Sequence, residues 1–155
     1  MPPFEIENPG SLKQFEGREF PATDWFVVTQ DRIQKFAEAT DDRQWIHVDP
    51  ERAQRESPFG GTVAHGFLTL SLLSYFLKQA IHVGSGVRMT VNYGLNKVRF
   101  PSAVRAGSQV RARVTLLSAK ESPEFVDAEY LIHVEGESAA KPCCVAEWLV
   151  RYYKY

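Results

Sequence analysis

The stretch HGFLTLSLLSYFLKQAI, residues 65–81, decides the fold of this 155-residue chain. Its apolar residues are too numerous for one helical face: Phe67, Leu68, Leu70, Leu72, Leu73, Phe76, Leu77, Ala80 and Ile81. A helix that is apolar nearly all round is a buried helix. The sequence therefore predicts one long central helix, opened by His65-Gly66, which the rest of the chain surrounds.

After this helix the sequence changes to the alternating pattern of strands. Apolar and polar residues alternate over 110–116, 126–134 and 144–152, which predicts an antiparallel meander with one solvated face. An earlier alternation over 87–100 is interrupted beside Gly94, which indicates a bulge or two strand pieces. A buried helix and a curved antiparallel sheet, segregated along the chain, predict an α+β fold in which the sheet wraps around the helix.

The region before the central helix contains several start and stop signals. Residues 1–23 hold four prolines and two glycines, so we expect an irregular segment that wraps the surface. Thr29 is expected to cap a helix that ends near residues 40–42. Asp49 and Pro50 predict a second, short helix, because Asp favours the N-cap and Pro the first helical position. No break in composition divides the chain, so residues 1–155 are expected to form one domain.

Composition and charge exclude several classes of function. The net charge of −1 lacks the excess of Lys and Arg that binding to nucleic acid requires. No apolar stretch approaches the ~20 residues needed to span a bilayer, and no signal-peptide pattern opens the chain. The adjacent Cys143 and Cys144 cannot close a stabilising loop, and no metal-ligand constellation surrounds them. We therefore expect a cytoplasmic protein with neither nucleic acid nor membrane as a partner.

Two segments could carry chemistry. Asp42 and His47 lie five residues apart between two predicted helices, where a carboxylate and an imidazole could handle protons around one water, although Asp42 could instead satisfy a turn. His65-Gly66 opens the central helix, whose first N–H groups have no internal partner. A carbonyl oxygen could approach these donors at Gly66, although the glycine could instead serve close packing and His65 could cap the helix. His82 and His133 are expected to be cap or surface residues.

Residues 36–53, followed by 59–68, resemble the signature of the MaoC-like dehydratases, the family of (R)-specific enoyl-CoA hydratases that includes the nodulation protein N-like subgroup. The matching region covers about a third of the chain and is continued by a similar strand at residues 92–101. The resemblance implies the hot-dog fold, an antiparallel sheet around one long helix, and a dimeric protein. This implied fold agrees with the periodicities above.

The resemblance also implies roles for individual residues. By position, Asp42 and His47 match the catalytic pair, and Gly66 matches the residue whose backbone N–H binds the thioester oxygen. Gln44 and His65 are expected to contribute to the substrate site. Three residues depart from the family pattern: Asp41 replaces a glycine, Gln44 an asparagine and Trp45 a proline. We expect these departures to preserve the chemistry and to alter the size of the substrate that fits.

The implied reaction is reversible addition of water to a trans-2-enoyl thioester, giving the (R)-3-hydroxyacyl thioester of fatty acid metabolism. It requires no metal or other cofactor, and the acyl carrier is coenzyme A or an acyl carrier protein. A hot-dog acyl thioesterase and a non-catalytic acyl-thioester-binding module remain as alternatives. We also predict a homodimer, because strand edges and apolar residues on the polar strand face, such as Leu131 and Leu149, need to be covered.

Overall fold

A computed structural model describes residues 1–155, and in it a curved antiparallel sheet packs around a central helical segment. The strands are β1 (Phe4–Ile6), β2 (Phe26–Val27), β3 (Ile81–Val83), β4 (Val87–Arg99), β5 (Gln109–Glu121), β6 (Phe125–Gly136) and β7 (Cys144–Lys154). The helices are α1 (Gln30–Thr40), α2 (Trp45–Val48), α3 (Pro50–Glu56), α4 (Gly66–Ser71) and α5 (Leu73–Ala80), with a 3₁₀ helix at Pro9–Phe15. The predicted α+β architecture is confirmed.

The main sheet has the strand order β2-β5-β6-β7-β4, so the predicted meander β5-β6-β7 forms its centre. Alternate residues of these three strands are buried against the helix, as the period of two requires. The register of β4 against β7 shifts between Asn92 and Gly94, which confirms the predicted irregularity beside that glycine. Three other shifts were not predicted: two in β4, between Val87 and Met89 and between Leu95 and Lys97, and one in β5, between Leu116 and Ser118.

The central helix differs from the sequence prediction in its extent and its exposure. It is divided at Leu72 into α4 and α5, and it ends at Ala80 because Ile81 begins β3. Leu72 keeps helical dihedral angles (φ −73°, ψ −10°), so the two segments follow each other directly. The sheet covers only part of the surface of the helix, and Phe67 is therefore 68% exposed. No helix of the protein has both the length and the hydropathy that crossing a bilayer requires.

The prediction of an irregular segment over residues 1–23 is wrong in part. β1 pairs in parallel with β3, and the 3₁₀ helix is capped by Asn8, whose side chain accepts the N–H of Ser11. Pro9 stands at the start of this helix, where a missing N–H is tolerated. The segment also contributes three fully buried residues to the core: Ile6, Leu12 and Phe20.

Three consecutive helices, α1, α2 and α3, position the candidate site. The Thr29 hydroxyl caps α1 by accepting the N–H of Arg32 at 3.1 Å, and Asp49 caps α3 by accepting the N–H of Arg52 at 3.0 Å. Both predicted caps are confirmed. Between these helices the chain turns through residues 41–44 and forms the single turn of α2.

Candidate active site

The loop that carries Asp42 begins with a residue in an unusual conformation. Asp41 ends α1 with φ 59° and ψ 19°, the left-handed region that favours glycine. Asp tolerates this region better than most residues with a side chain, and Arg43 pairs with the Asp41 carboxylate. The departure from the family glycine at this position is therefore accommodated. The loop then leaves the Asp42 side chain 54% exposed.

The Asp42 carboxylate has one backbone contact within its loop. Its Oδ1 accepts the N–H of Gln44 at 3.4 Å, which is long for a hydrogen bond. The other oxygen, Oδ2, lies 4.0 Å from Nε2 of His65. The Asp42 carboxylate is thus open to solvent on one side, and the N–H of Gln44 and the ring of His65 lie on its other side.

His47 lies in α2 and is almost fully buried, with 7% of its surface exposed. Its Nδ1 is 2.6 Å from the carbonyl oxygen of Val63. Because a carbonyl can only accept, the neutral imidazole carries its hydrogen on Nδ1 and leaves Nε2 as an acceptor. Nε2 makes no hydrogen bond within the chain, and it is not among the buried unpaired atoms. This nitrogen is therefore reached by solvent and can accept a proton.

Two glutamines that the sequence analysis missed hold α2 in place. The side-chain amide of Gln30 donates to the carbonyl oxygen of His47 at 2.7 Å, and that of Gln34 donates to Val48 at 3.0 Å. Gln30 also accepts a hydrogen bond from the Thr62 hydroxyl. The only sign of this role in the sequence is the four-residue spacing of the two glutamines, which places them on one face of α1. That sign is too common to identify positioning residues.

His65 lies on the buried side of Asp42 and His47, and not on the side that solvent reaches. Its ring stacks on His47 with centroids 3.8 Å apart and planes inclined by 21°, and Phe36 packs on it at 4.9 Å. Its Nε2 is 2.9 Å from the backbone oxygen of Asp42, whereas its Nδ1 is buried without a partner. The structure thus brings Asp42, His47 and His65 together. One carboxylate oxygen and one ring nitrogen from each histidine lie within 4.8 Å of one another.

Burial sets the electrostatics of this cluster. The pKa of His47 is lowered from 6.5, chiefly because burial disfavours the charged ring. The hydrogen bond to Val63 raises the pKa, the neighbouring His65 lowers it further, and Asp42 raises it. The balance keeps His47 neutral near pH 7, so its Nε2 is available as a base.

The spacing of the three side chains would also suit a metal ion, but their orientation does not. An imidazole binds a metal through a nitrogen lone pair in the plane of its ring. The rings of His47 and His65 are stacked face to face, so their lone pairs do not converge on one point. The arrangement favours proton transfer over metal binding.

Gly66 begins α4, and its backbone N–H and that of Phe67 make no hydrogen bond. These donors lie at the positive end of a helix, which suits a developing negative charge. A Cβ at position 66 would lie 3.2 Å from the ring of Phe100, so close packing also requires glycine here. Both interpretations offered for Gly66 in the sequence analysis are compatible with this geometry.

The remaining candidate residues lie near or away from this cluster. The Gln44 side chain is exposed and makes no hydrogen bond, while its backbone oxygen accepts the N–H of His47 at 3.0 Å. Trp45 is half-buried under the guanidinium of Arg52, 4.3 Å from the ring. His82 is exposed beside Glu5, and His133 is half-buried on β6. Neither of these two histidines contacts the cluster.

A groove with both apolar and polar walls runs between the central helices and β4, starting one turn after Gly66. Two cavities, of about 280 and 430 Å³, open along it and share Ser74, Asn92 and Trp148 in their walls. Leu70, Leu73 and Leu95 line the first cavity; Leu77, Ile81 and Val87 line the second. The groove ends beside Tyr152. Lys78, His82 and Thr90 also line the second cavity, so the groove combines an apolar wall that suits an acyl chain with polar groups.

A curved antiparallel sheet around a central helix defines the hot-dog class of proteins. Within that class, the Asp-His pair beside a helix N-terminus points to the dehydratases. The sequence profile described as "MaoC like domain" matches residues 12–139. The chain therefore belongs to the MaoC-like dehydratase family, whose members are hydro-lyases. The resemblance found in the sequence is confirmed.

Two curated relatives are similar over most of the chain. A protein of Mycobacterium tuberculosis named 3-hydroxyacyl-thioester dehydratase Z is 47% identical over 148 residues, which cover 95% of this chain and 97% of the relative. Nodulation protein N of Rhizobium leguminosarum is 45% identical over 134 residues, which cover 86% and 83% of the two chains.

Solved structures support the fold independently of the sequence. An unliganded R-hydratase from Pseudomonas aeruginosa superposes with a TM-score of 0.67 and 21% identity, covering 90% of this chain and 83% of that chain. A protein from Archaeoglobus described as a monoamine oxidase regulatory protein superposes with a TM-score of 0.76 and 21% identity, covering 100% and 99%. At these identities the likeness establishes the fold.

Proposed function

We propose that this protein catalyses the reversible hydration of a trans-2-enoyl thioester to the (R)-3-hydroxyacyl thioester, with Asp42 and His47 as its catalytic residues. The observation that carries the proposal is a buried, neutral His47 that has a free Nε2 and that lies, by one of its ring nitrogens, within 4.8 Å of an exposed carboxylate oxygen. The relative named 3-hydroxyacyl-thioester dehydratase Z supports a thioester substrate. The acyl carrier is coenzyme A or an acyl carrier protein.

The proposed reaction needs a base for water and a proton for the substrate. Water bound between the Asp42 carboxylate and His47 Nε2 gives one proton to the imidazole as its oxygen bonds to C3. The electron pair of the C2=C3 bond moves toward the thioester oxygen. Asp42 and His47 then deliver a proton to C2, so both residues end the cycle in their starting protonation states. One water is added across the double bond, and the step needs no cofactor.

The thioester oxygen gains negative charge during this step and needs donors. The N–H groups of Gly66 and Phe67 are free at the start of α4, and donors aimed at a developing oxyanion are among the strongest contributors to catalysis. Gly66 follows His65, and the ring of His65 stacks on His47. The donors at Gly66 and the base at His47 are therefore close in space. We assign the binding of the thioester oxygen to Gly66.

We assign the acyl chain to the groove between the central helices and β4. The exposed rings of Phe67 and Phe100 lie 6.2 Å apart beside Gly66 and would form its apolar entrance. Burial of an acyl chain there contributes about 0.8 kcal/mol for each CH₂ removed from water. Gln44 and Trp45, which depart from the family pattern, lie between Asp42 and His47 in the sequence, and we expect them to limit the size of the substrate that fits.

Incubation with crotonyl-CoA tests this proposal directly. Hydration removes the enoyl absorbance while the thioester stays intact, and chiral analysis of the product should give the (R) isomer. Release of free thiol would indicate a thioesterase instead. No reaction with enoyl thioesters of several chain lengths, on either carrier, would favour a binding module.

We further propose a homodimer that is formed through β4. This strand lies at the end of the sheet, and its apolar residues Met89, Val91, Tyr93 and Leu95 are between 36% and 57% exposed. Leu131 and Leu149, by contrast, are half-buried within the single chain. An apolar edge strand of this length promotes association unless it is covered. β4 is therefore a better candidate for the interface than the face that carries these two leucines.

Light scattering at micromolar concentration checks the dimer. Val91→Lys should shift the protein to the monomer, because it places a charge in the apolar part of the edge. Val27→Lys, on the other end strand β2, is the matched control and should leave the dimer intact. A monomeric wild-type protein would contradict the proposal.

A further inference from the structure

His65 is the most enclosed polar side chain of the site, with 4% of its surface exposed. Phe36 packs on its ring at 4.9 Å and His47 at 3.8 Å. Its Nε2 lies 2.9 Å from the backbone oxygen of Asp42. The residue therefore contacts both members of the proposed catalytic pair and has almost no surface left for a substrate.

The bond to Asp42 fixes the tautomer of His65. The Asp42 carbonyl can only accept, so Nε2 must carry the hydrogen and Nδ1 must hold the lone pair. Nδ1 is the one buried side-chain nitrogen or oxygen in the chain without a hydrogen-bond partner. Leaving a buried polar atom unpaired destabilises a fold. An apolar ring would fill the same space without that cost, so packing alone does not account for a histidine here.

The two contacts of His65 constrain different parts of the pair. The Nε2–H bond holds the backbone of Asp42 at the point where the loop leaves α1, and the carboxylate has only a 3.4 Å contact of its own within the loop. The stacked ring restricts His47 to a plane inclined by 21°. In that plane Nδ1 meets the Val63 oxygen and Nε2 stays open. His65 therefore links the loop of Asp42 to the ring of His47, in addition to the bond between His47 and Val63.

We propose that His65 is a positioning residue: by donating Nε2–H to the Asp42 carbonyl and stacking on His47, it fixes the carboxylate and the imidazole around one water. This role rests on the proposed hydratase function. It replaces the direct contact with substrate that the sequence analysis assigned to His65. Displacement of a catalytic group by about 1 Å is enough to cost about 100-fold in rate.

Two substitutions separate the hydrogen bond from the packing. His65→Gln keeps an N–H donor at a similar reach, whereas His65→Leu fills similar space without a donor. We expect the Leu variant to lose about 10- to 100-fold in kcat with KM changed less than about twofold, because binding is intact and alignment is not. The Gln variant should keep kcat within about threefold of wild type. His133→Gln, on a strand away from the site, is the control and should behave as wild type.

Equal loss in the Gln and Leu variants, or wild-type kcat in the folded Leu variant, would overturn the proposal. Long-range ¹H–¹⁵N spectra of the wild-type protein give a test that depends on neither folding of a variant nor activity. They should show the hydrogen of His65 on Nε2 and that of His47 on Nδ1. A His65 hydrogen on Nδ1 cannot reach the Asp42 carbonyl and would refute the positioning role. Inactivity of wild-type protein with normal tautomers would count against the hydratase function alone.

Discussion

Two pairs of buried polar rings, His47–His65 and Tyr130–Tyr152, are built in opposite ways. The tyrosine hydroxyls of neighbouring strands β6 and β7 lie 2.7 Å apart, and each serves the other as partner. Burial raises the pKa of Tyr152 to about 12, so the hydroxyl stays protonated. The histidines instead stack without bonding to each other, and each leaves one nitrogen without a partner.

We interpret the tyrosine pair as structural and the histidine pair as part of the proposed active site. The hydroxyls of Tyr130 and Tyr152 satisfy each other, and the pair has no remaining capacity to take up a proton near neutral pH. The histidine pair has an open acceptor beside an exposed carboxylate, and this keeps proton chemistry available at some expense of stability. Substitutions in the first pair should therefore change stability, and substitutions around the second should change activity.

The largest effect is expected at Asp42 and His47. Asp42→Asn or His47→Gln should lower kcat for hydration by about 100-fold or more, because each removes a group to which we assign a proton transfer. The double variant should be little worse than the worse single variant, since the two residues act on one water as a unit. Steady-state kinetics with the best enoyl thioester measures both quantities.

His133→Gln serves as the control for these variants, because His133 lies on β6 and contacts neither residue. Both replacements at the site are close in size to the original side chains, so circular dichroism should show folded protein. Near wild-type hydration by both folded single variants would mean that Asp42 and His47 only shape the loop.

Gly66→Ala should have the next largest effect. The added Cβ would lie 3.2 Å from the Phe100 ring and must displace either that ring or the start of α4. A shift of the donors that we propose to hold the thioester oxygen should lower kcat by about 10-fold. Adding Phe100→Leu should restore part of the rate by making room.

Gly61→Ala is the matched control for this prediction, because its Cβ would meet only the end of the flexible Arg105 side chain, also at 3.2 Å. If Gly66→Ala keeps full activity, the oxygen is bound elsewhere. If Phe100→Leu alone abolishes activity, the ring itself acts on the substrate.

The pH dependence should reflect the burial of His47 and be a smaller effect. Its pKa is lowered from 6.5, so kcat/KM should fall by less than about twofold between pH 8 and pH 6.5, with the acidic midpoint below 6.5. The unfolded chain binds the proton more readily, so the contribution of His47 to stability is complete above about pH 6.5 and is lost as the pH falls below it. A midpoint above 6.5 in folded protein would show that His47 is not the base.

The sequence predicted the core of this fold because its periodicities are determined locally. Alternation in β5, β6 and β7 and the apolar run after Gly66 both predict buried side chains. In the structure, alternate residues of these strands and most apolar residues of the helices are buried. β4 has the same alternation, yet Tyr93 and Leu95 are exposed. The pattern records that a face is to be covered, but it does not say whether the same chain or another covers it.

For the candidate site, the sequence identified Asp42, His47 and Gly66 through a motif whose residues are close in the chain. It did not identify Gln30, Val63 or the direction of the His65 ring, because these depend on how α1, α2 and α4 pack together. The left-handed Asp41 was visible only as a departure from a glycine pattern. Contacts between distant segments carry no local periodicity, and so the pattern contains no sign of them.

The tyrosine pair should show a clear effect on stability and the smallest effect on activity with a short enoyl thioester, because Tyr152 lies at the far end of the groove. Tyr152→Phe leaves the hydroxyl of the fully buried Tyr130 without a partner, which should cost about 1–3 kcal/mol. Tyr130→Phe should cost less, because Tyr152 lines the cavity of about 430 Å³ where water can replace the lost partner. At this chain length each kcal/mol lowers Tm by about 2–4 °C, and thermal unfolding measures it.

The double variant should lose less than the sum of the singles, since no hydroxyl is then left unpaired. Tyr155→Phe, at the exposed C-terminus, is the control. A Tm unchanged by Tyr152→Phe, or a large fall in kcat with a normal Tm, would make this pair functional and end the contrast with the histidines.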